Sequence, residues 1–345
     1  MNITVLGAGS WGTALASVLC HNGHRTTLWV RRPEQCREIN ERHTNVKYLP
    51  DARLPEALVA STDLHEAVRD AQIVIFSVPS QAMPEVVRDA SPLVQSCDVV
   101  AHAVKGFDVT TGQRMSQLIL STKQVGKAQL AVITGPSHAE EVVAGLPTTV
   151  VVAAYERATA ELLQDALMNP YFRVYTNPDV VGAELAGSLK NIIALGVGMA
   201  DGLGFGDNAK AALMTRGLAE MARLGMKMGA SPLTFAGLSG VGDLIVTCTS
   251  QHSRNFRAGR LIGSGFSLEE ALGAVGMVVE GVRTVRAAVA LAERFHIEMP
   301  IANALYDVLF TGKKPSVAVE ELMGRERGHE VEEVARELLA PKWDT

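Results

Sequence analysis

Short runs of β-branched and aliphatic residues alternate with helical segments through the first half of the chain. Most of these runs are apolar at consecutive positions, which is typical of strands whose two faces are both covered by helices. The pattern therefore predicts an α/β fold in which a doubly wound parallel sheet lies between two layers of helices. The predicted strands are NITVLG, TTLWV, QIVIFSVP, DVVAHAV, LAVITG, TTVVVAA and FRVYT.

The pattern changes after Asn177-Pro178-Asp179, where Ala, Gly, Leu and Met recur at helical spacing and hardly any run is typical of a strand. A chain of 345 residues is also long for one hydrophobic core. We therefore predict an α/β domain over residues 1–180 and an all-α domain over residues 181–345, with a helix over 182–200 as the candidate hinge. The charge-rich stretch GRERGHEVEEVARELL is predicted to form a solvated amphipathic helix.

The segment GAGSWG, residues 7–12, follows the first predicted strand and opens the apolar helix TALASVL. This is the context that the GxGxxG motif of Rossmann-type dinucleotide sites requires. Gly7 permits the tight turn, Gly9 lets a diphosphate approach the backbone, and Gly12 lets the helix and strand pack closely. The N–H groups at the helix start would hold the diphosphate. A plain strand-to-helix turn is the alternative interpretation.

The end of the second predicted strand indicates which dinucleotide binds. An acidic residue there would favour NAD, because it accepts hydrogen bonds from the ribose hydroxyls. This chain instead has Arg31 and Arg32, whose guanidinium groups suit bidentate binding of a 2′-phosphate, so NADP is favoured. Glu34 could still accept a ribose hydroxyl, which leaves NAD open. Surface arginines without a ligand are the alternative interpretation.

Lys190 stands inside the apolar helical stretch LAGSLKNIIALGVGMADGLG. No carboxylate lies three or four residues from it, where a helical neighbour would be. Removing an ammonium from water is costly unless it is paired or loses its proton. The sequence therefore predicts that the head of Lys190 either reaches solvent or meets a partner from elsewhere in the chain.

Two segments follow predicted strands at the carboxyl edge of the sheet, where ligands bind in open α/β folds. Lys105 comes after DVVAHAV, and Gly135 and Ser137 come after LAVITG, so both segments are expected on the nicotinamide side. We hypothesise that Lys105, Lys190 and Asp243 converge in one cleft between the domains. Burial lowers the pKa of a lysine toward neutrality, where it exchanges protons efficiently, and a nearby carboxylate opposes that shift while orienting the ammonium.

A local positive charge follows Asp243, because three arginines and no acidic residue lie between it and Glu269. The segment Ser253-Arg254-Asn255 has the chemistry of a helix start, with a hydroxyl cap and donors beside the first backbone N–H groups. A small phosphate would fit there, in the same cleft. An exposed basic helix with its cap is the alternative interpretation.

Composition limits the ligands and the compartment. The net charge of −5 leaves no overall basic field for nucleic acid, so an anion site must be local. The four cysteines show no CxxC spacing, which predicts neither zinc nor disulfides, and no metal site is expected. The chain has no basic leader and no uninterrupted apolar run near the roughly 20 residues of a membrane span. We therefore expect a cytoplasmic protein that does not insert into membranes.

A series of motifs extends through nearly the whole chain except its last stretch. These are GAGSWGTALA, WVRR, SVPSQ, AVKGF, ITGPSHAEEV, LAGSLKNIIALGVGMADGLGFGDNAKAAL, GLSGVGDLIVTCTS with SRN, and VVEGVRT. With these motifs in this order, the sequence resembles the bacterial NAD(P)-dependent glycerol-3-phosphate dehydrogenases. The resemblance implies reversible hydride transfer between NAD(P)H and dihydroxyacetone phosphate, which gives sn-glycerol 3-phosphate for phospholipid synthesis.

The resemblance also implies roles for individual residues. Lys190 would be the general acid/base, and Lys105 and Asp243 would support the substrate and that lysine. The residues implied for the substrate are Lys105, Gly135, Ser137, Lys190, Asp243, Ser253, Arg254 and Asn255. Those implied for the cofactor, beside the loop glycines Gly7, Gly9 and Gly12, are Ser10, Trp11, Arg31, Arg32, Lys105, Ala139, Arg254, Val278 and Glu280.

Two other functions stay open. One is a different hydroxy-acid or keto-acid reductase of the same two-domain build, which would need a carboxylate clamp in place of the phosphate site. The other is a protein that senses NAD(P) without catalysis, since fold does not determine function; the presence of both Lys190 and Asp243 argues against it. The sequence contains no P-loop, GxSxG or HExxH motif. The apolar helical half favours a homodimer.

Overall fold

The computed structural model describes residues 1–325. It divides into two compact units, Met1–Glu184 and Leu185–Thr345. The part of the predicted amphipathic tail helix beyond Arg325 lies outside the described residues.

The first unit is built on one eight-stranded sheet. Its strands are β1 (Asn2–Leu6), β2 (Arg25–Trp29), β3 (Val59–Ser61), β4 (Ile73–Phe76), β5 (Val99–His102), β6 (Leu130–Thr134), β7 (Thr148–Ala154) and β8 (Phe172–Asn177). Their spatial order is β3-β2-β1-β4-β5-β6-β7-β8. The chain therefore reverses direction across the sheet between β1 and β4, and in a doubly wound fold the ligand site lies at this switch point.

The seven predicted strands are confirmed, and β3 was missed because three residues at the sheet edge are too short for a periodic signal. The sheet is parallel except at one place, since β6 and β7 pair antiparallel. The hydrophobic pattern could not show this. A strand buried on both faces is continuously apolar whichever way it runs.

Helices cover both faces of the sheet. Along β4 the apolar side chains alternate between two separate clusters, with Ile75 in one and Val74 and Phe76 in the other. The helices of this unit are α1 (Ser10–His21), α2 (Pro33–Arg42), α3 (Leu64–Val68), α4 (Met83–Ala90), α5 (Met115–Ser121), α6 (Ala139–Val143) and α7 (Arg157–Leu167). This arrangement confirms the predicted doubly wound α/β class.

Helix α8 (Val180–Gly202) begins in the first unit and continues into the second. Val180 and Ala183, in its first turn, pack against Val132 of β6 and Ala153 of β7. By length and hydropathy α8 could cross a membrane, but 94% of its most apolar window is buried inside the protein, as in the core helix of a soluble protein.

The second unit is helical, and no strand occurs among its residues up to 325. Its helices are α9 (Asp207–Lys227), α10 (Pro232–Ala236), α11 (Asp243–Thr249), α12 (Arg254–Gly263), α13 (Leu268–Val275), α14 (Glu280–Phe295), α15 (Pro300–Phe310) and α16 (Pro315–Met323).

Glycines set the distance between α8 and α12. A Cβ on Gly198 would overlap the carbonyl oxygen of Phe256, and a Cβ on Gly259 would overlap that of Leu195. Only residues without a side chain allow two helix backbones to approach this closely. The close approach fixes the N-terminus of α12 relative to the helix that carries Lys190.

Candidate active site

The glycine loop between β1 and α1 has the geometry that a bound diphosphate needs. Gly7 has φ of +116°, and a Cβ there would lie 2.7 Å from the carbonyl oxygen of Ser77. A Cβ on Gly12 would overlap the carbonyl oxygen of Gly7, so the helix and loop pack closely. At Gly9, by contrast, no heavy atom of the described residues other than its chain neighbours lies within 4 Å of a Cβ position. The backbone is therefore open at the start of α1, where a dinucleotide diphosphate would fit.

A buried polar network that the sequence did not predict holds this loop in place. The carbonyl oxygen of Ala8 accepts hydrogen bonds from Gln35 Nε2 at 2.7 Å and from Asn45 Nδ2 at 3.1 Å. Asn45 Nδ2 also donates to Thr13 Oγ1 at 2.9 Å. No short motif marks these residues, because they come from α1, α2 and the loop that follows α2. Their contact is a product of the fold.

The two predicted arginines differ in their surroundings. Arg31 is exposed, while Arg32 precedes α2 and donates from Nη2 to Gln35 Oε1 at 3.0 Å. The Arg32 guanidinium also lies 5.8 Å from the centre of the Tyr48 ring. Arg32 is thus connected through Gln35 to the carbonyl of Ala8 in the glycine loop.

The other residues implied for the cofactor in the first unit lie on α1 and α6. Ser10 Oγ donates to the carbonyl oxygen of Tyr48 at 3.0 Å. The ring of Trp11 lies 6.5 Å from that of Phe172, and its buried Nε1 has no hydrogen-bond partner among residues 1–325. Ala139 is buried at the first position of α6.

Lys105, Gly135 and Ser137 lie together at the ends of β5 and β6; that they face the nicotinamide stays a prediction. Lys105 Nζ donates to the carbonyl oxygen of Gly135 at 3.5 Å, and Ser137 Oγ donates to the same oxygen at 2.9 Å. Gly135 has φ of +115°, and a Cβ there would lie 3.1 Å from Val150 Cα. The turn therefore requires glycine and presents an ammonium and a hydroxyl around one carbonyl group.

Lys190 finds its partners on α11, in the second unit. Its Nζ donates to Asp243 Oδ1 and to Thr247 Oγ1, the latter at 2.6 Å. The side chains of Lys190 and Asp243 are only 5% and 1% exposed. Thr247 Oγ1 in turn donates to the backbone carbonyl of Asp243 at 2.5 Å. A buried ion pair with a supporting hydroxyl is thus formed across 53 residues of sequence.

The sequence named Asp243 as a candidate but missed Thr247. The signal was present, since a residue four positions after Asp243 on a helix lies on the same face. A π-helical turn, Leu238–Gly242, leads directly into α11 and sets the direction from which Asp243 approaches. Burial, opposed by the charge of Lys190 and helped by that of Asp243, raises the pKa of the neighbouring Cys248 thiol to about 12, which disfavours the reactive thiolate.

The predicted helix start at Ser253 is confirmed. Ser253 Oγ accepts a hydrogen bond from the backbone N–H of Phe256 at 3.2 Å, and α12 begins at Arg254, which is half-buried. Asn255 also makes structural hydrogen bonds to two other helices. Its Nδ2 donates to Asn191 Oδ1 at 2.9 Å, and its Oδ1 accepts from the N–H of Gly281 at 2.8 Å. Asn255 therefore connects α8, α12 and α14, and Asn191 is a second residue that the sequence missed.

The remaining cofactor candidates lie beside α14. Val278 is half-buried just before this helix, and Glu280 is its first residue. The candidate site residues on α11, α12 and α14 thus lie at or next to the N-termini of these helices. The predicted convergence of Lys105 with Lys190, Asp243 and Arg254 stays a prediction. Over residues 1–325 no cluster of His, Cys, Asp and Glu could hold a metal ion, and all four cysteines are thiols.

Comparison with known proteins gives matches over both units. The family model for the N-terminus of NAD-dependent glycerol-3-phosphate dehydrogenase matches residues 2–160, and the model for its C-terminus matches residues 179–320. The glycerol-3-phosphate dehydrogenase [NAD(P)+] of Bacillus cytotoxicus is 56% identical over 335 residues, which are 96% of this chain and 98% of that protein.

Several solved structures with similar folds are also glycerol-3-phosphate dehydrogenases. The crystal structure of glycerol-3-phosphate dehydrogenase from Coxiella burnetii is 40% identical, with a TM-score of 0.89 over 94% of this chain and 99% of that one. The enzyme from Saccharomyces cerevisiae is 29% identical, with a TM-score of 0.80 over 93% of this chain and 98% of that one.

Proposed function

This chain belongs to the NAD-dependent glycerol-3-phosphate dehydrogenase family, and from that premise we propose that it interconverts dihydroxyacetone phosphate and sn-glycerol 3-phosphate with NAD(P)(H). In the direction of reduction, a hydride is added to the carbonyl carbon and a proton to the carbonyl oxygen. The product is a precursor for glycerophospholipid synthesis. The observation that carries the proposal is the buried ammonium of Lys190, held by Asp243 and Thr247.

Lys190 is the general acid of the reduction. Its Nζ holds the proton that the developing alkoxide takes up, and in oxidation the neutral amine accepts the hydroxyl proton back. Asp243 stabilises the ammonium, and Thr247 fixes its direction, because the Thr247 hydroxyl is itself held by the Asp243 carbonyl. After reduction Lys190 is neutral and is protonated again from solvent.

Residues around the glycine loop would hold the dinucleotide, which when bound supplies the hydride. Gly7, Gly9 and Gly12 form the open turn at the start of α1, and backbone N–H groups there would bind the diphosphate. Arg31 and Arg32 would bind a 2′-phosphate, so we propose that NADPH is preferred to NADH. The further cofactor contacts proposed are Ser10, Trp11, Lys105, Ala139, Arg254, Val278 and Glu280.

The phosphate of the substrate would be bound at the start of α12. Ser253 caps a ten-residue helix whose first residue is Arg254, and a helix N-terminus with an arginine in its first turn suits a small dianion. Lys105, Gly135, Ser137 and Asn255 complete the proposed substrate set. A keto acid would offer a carboxylate in place of this phosphate.

The test is the loss of nicotinamide absorbance when pure protein is mixed with dihydroxyacetone phosphate, with NADPH and NADH in separate cuvettes. Oxidation that depends on this substrate supports the proposal and ranks the two cofactors. Oxidation with 2-keto acids only would assign a different reductase. Binding of NADPH, measured by fluorescence, without turnover of either substrate class would assign a sensor.

We further propose a cytoplasmic homodimer that inserts into no membrane and binds no nucleic acid. Large apolar side chains are exposed on the second unit, among them Leu233, Ile245 and Phe266, at 79%, 51% and 48%, and a contiguous patch of such side chains would mark an association surface. Sedimentation equilibrium at micromolar concentration tests the dimer. A monomer mass across that range would contradict it.

A further inference from the structure

Glu184 is a buried carboxylate that the proposed mechanism does not use. It is 5% exposed and accepts hydrogen bonds through both oxygens. Oε1 accepts from His102 Nε2 at 3.0 Å and from the N–H of Ser116 at 2.8 Å. Oε2 accepts from Ser116 Oγ at 2.5 Å and from Arg114 Nη1, which also donates to Ser116 Oγ at 2.7 Å. One carboxylate thus holds three residues of the first unit.

These three residues stand at the two ends of one loop. His102 ends β5, three residues before Lys105, and Arg114 and Ser116 stand at the beginning of α5. The loop over residues 103–113 therefore leaves β5 and reaches α5 at the same carboxylate. Fixing both ends of a loop removes much of its conformational freedom.

The loop is also ordered from within. Phe107 and Arg114 form an isolated β-bridge, and Asp108 accepts hydrogen bonds from the Thr110 N–H at 3.2 Å and from Thr111 Oγ1 at 2.5 Å. The loop is therefore a compact hairpin whose base is closed by Glu184. Lys105, near the start of the hairpin, has its position set by that base.

The charge of Glu184 makes this closure strong. Burial by itself raises the pKa of the carboxyl. The hydrogen bond and charge of His102, the charge of Arg114 and the hydrogen bond of the Ser116 side chain outweigh this effect and lower the pKa to about 2. Glu184 is therefore ionised at neutral pH. Charge-assisted hydrogen bonds are shorter and stronger than neutral ones.

We propose that Glu184 is a positioning residue for the reaction: it closes the base of the 103–113 loop and so holds Lys105 where it contacts substrate. This inference rests on the proposed function, which gives Lys105 its role in substrate binding. Glu184 itself touches neither substrate nor cofactor. Displacing a contact residue by about 1 Å can cost about 100-fold in rate, so a small change at the base of the loop is measurable.

The test is Glu184→Gln, which keeps the shape of the side chain and removes its charge. The matched control is Glu220→Gln, the same change at a carboxylate that is also buried, 3% exposed, but caps α15 in the second unit. In Glu184→Gln we expect faster amide hydrogen exchange over residues 103–113, a raised KM for dihydroxyacetone phosphate and a fall in kcat/KM of about 10- to 100-fold. Glu220→Gln should show none of these changes.

The KM separates positioning from simple loss of structure, because partial unfolding removes active enzyme and lowers the apparent kcat while leaving KM unchanged. An unchanged exchange rate over 103–113, or an equal effect of Glu220→Gln, would overturn the proposal. Glu184→Gln leaves Arg114 buried without its counter-charge, which is strongly destabilising. If it does not fold, Arg114→Met/Glu184→Gln removes both charges and carries the same expectations.

The exchange measurement keeps the two proposals apart. If the wild-type protein does not turn over dihydroxyacetone phosphate, the proposed function fails, but the effect of Glu184→Gln on exchange over 103–113 still decides whether this carboxylate closes the loop. If the wild type is active and the loop is unaffected, the inference about Glu184 fails alone.

Discussion

The burial of Glu220 predicts that the free energy of unfolding falls as the pH rises through neutrality. Its carboxylate is 3% exposed and accepts hydrogen bonds from the backbone N–H groups of Ile301 at 2.7 Å and Ala302 at 3.3 Å, at the start of α15. Burial raises its pKa to about 7, although both N–H groups and the charges of Arg325 and Arg216 oppose this shift. The folded protein therefore binds this proton more tightly than the unfolded chain does.

The sign follows from the direction of the shift. A carboxyl whose pKa is raised by folding stabilises the folded state fully below its unfolded pKa, near 4.5, and this contribution is lost as the pH rises through about 7. At about 1.36 kcal/mol per pK unit, the contribution falls by about 2–3 kcal/mol between pH 5 and pH 8. The amide of Glu220→Gln does not titrate and shows no such fall.

The assay is urea unfolding of the wild type and Glu220→Gln at several pH values between 5 and 8, monitored by far-ultraviolet circular dichroism. We expect the free energy of unfolding of the wild type, relative to Glu220→Gln, to drop by about 2–3 kcal/mol across this range. All other titrating groups are shared and cancel in the difference. A difference that is the same at every pH would refute the reasoning, because it would mean that burial does not raise the pKa of Glu220.

Three further substitutions test the site and the fold. Lys190→Ala should lower kcat by about 10²- to 10⁴-fold with little change in NADPH affinity, whereas Lys227→Ala, an exposed lysine of the same unit, should leave kcat unchanged; near-full activity of Lys190→Ala would contradict the assignment. Arg32→Asp should shift the ratio of kcat/KM values from NADPH toward NADH, and an unchanged ratio would show that Arg32 does not bind the 2′-phosphate. Gly259→Ala should lower the free energy of unfolding by about 1–3 kcal/mol in urea, because its methyl group would overlap the Leu195 carbonyl; a wild-type unfolding curve would disprove the close contact of α8 and α12.

Much of this protein could be predicted from its sequence, because the relevant physics is local. Continuous apolar runs mark strands that are covered on both faces, and seven of the eight strands were found this way. The glycine loop was predicted for a similar reason, since only glycine adopts the backbone at Gly7 and only glycine fits against the loop at Gly12. The cap at Ser253 requires one hydroxyl and one N–H three residues away.

Tertiary structure alone decided which distant residues meet. The direction of β7 and β8 leaves no trace in the hydrophobic pattern, because a strand buried on both faces is apolar in either orientation. Gln35 and Asn45 look like ordinary polar residues until the fold brings both to the carbonyl of Ala8. For Lys190 the sequence left open whether the ammonium reaches solvent or meets a distant partner, with Asp243 as a hypothesised neighbour; the packing of α8 beside α11 brings Asp243 and Thr247 to it. A buried charge makes a partner necessary, but the chain's three-dimensional path selects which one.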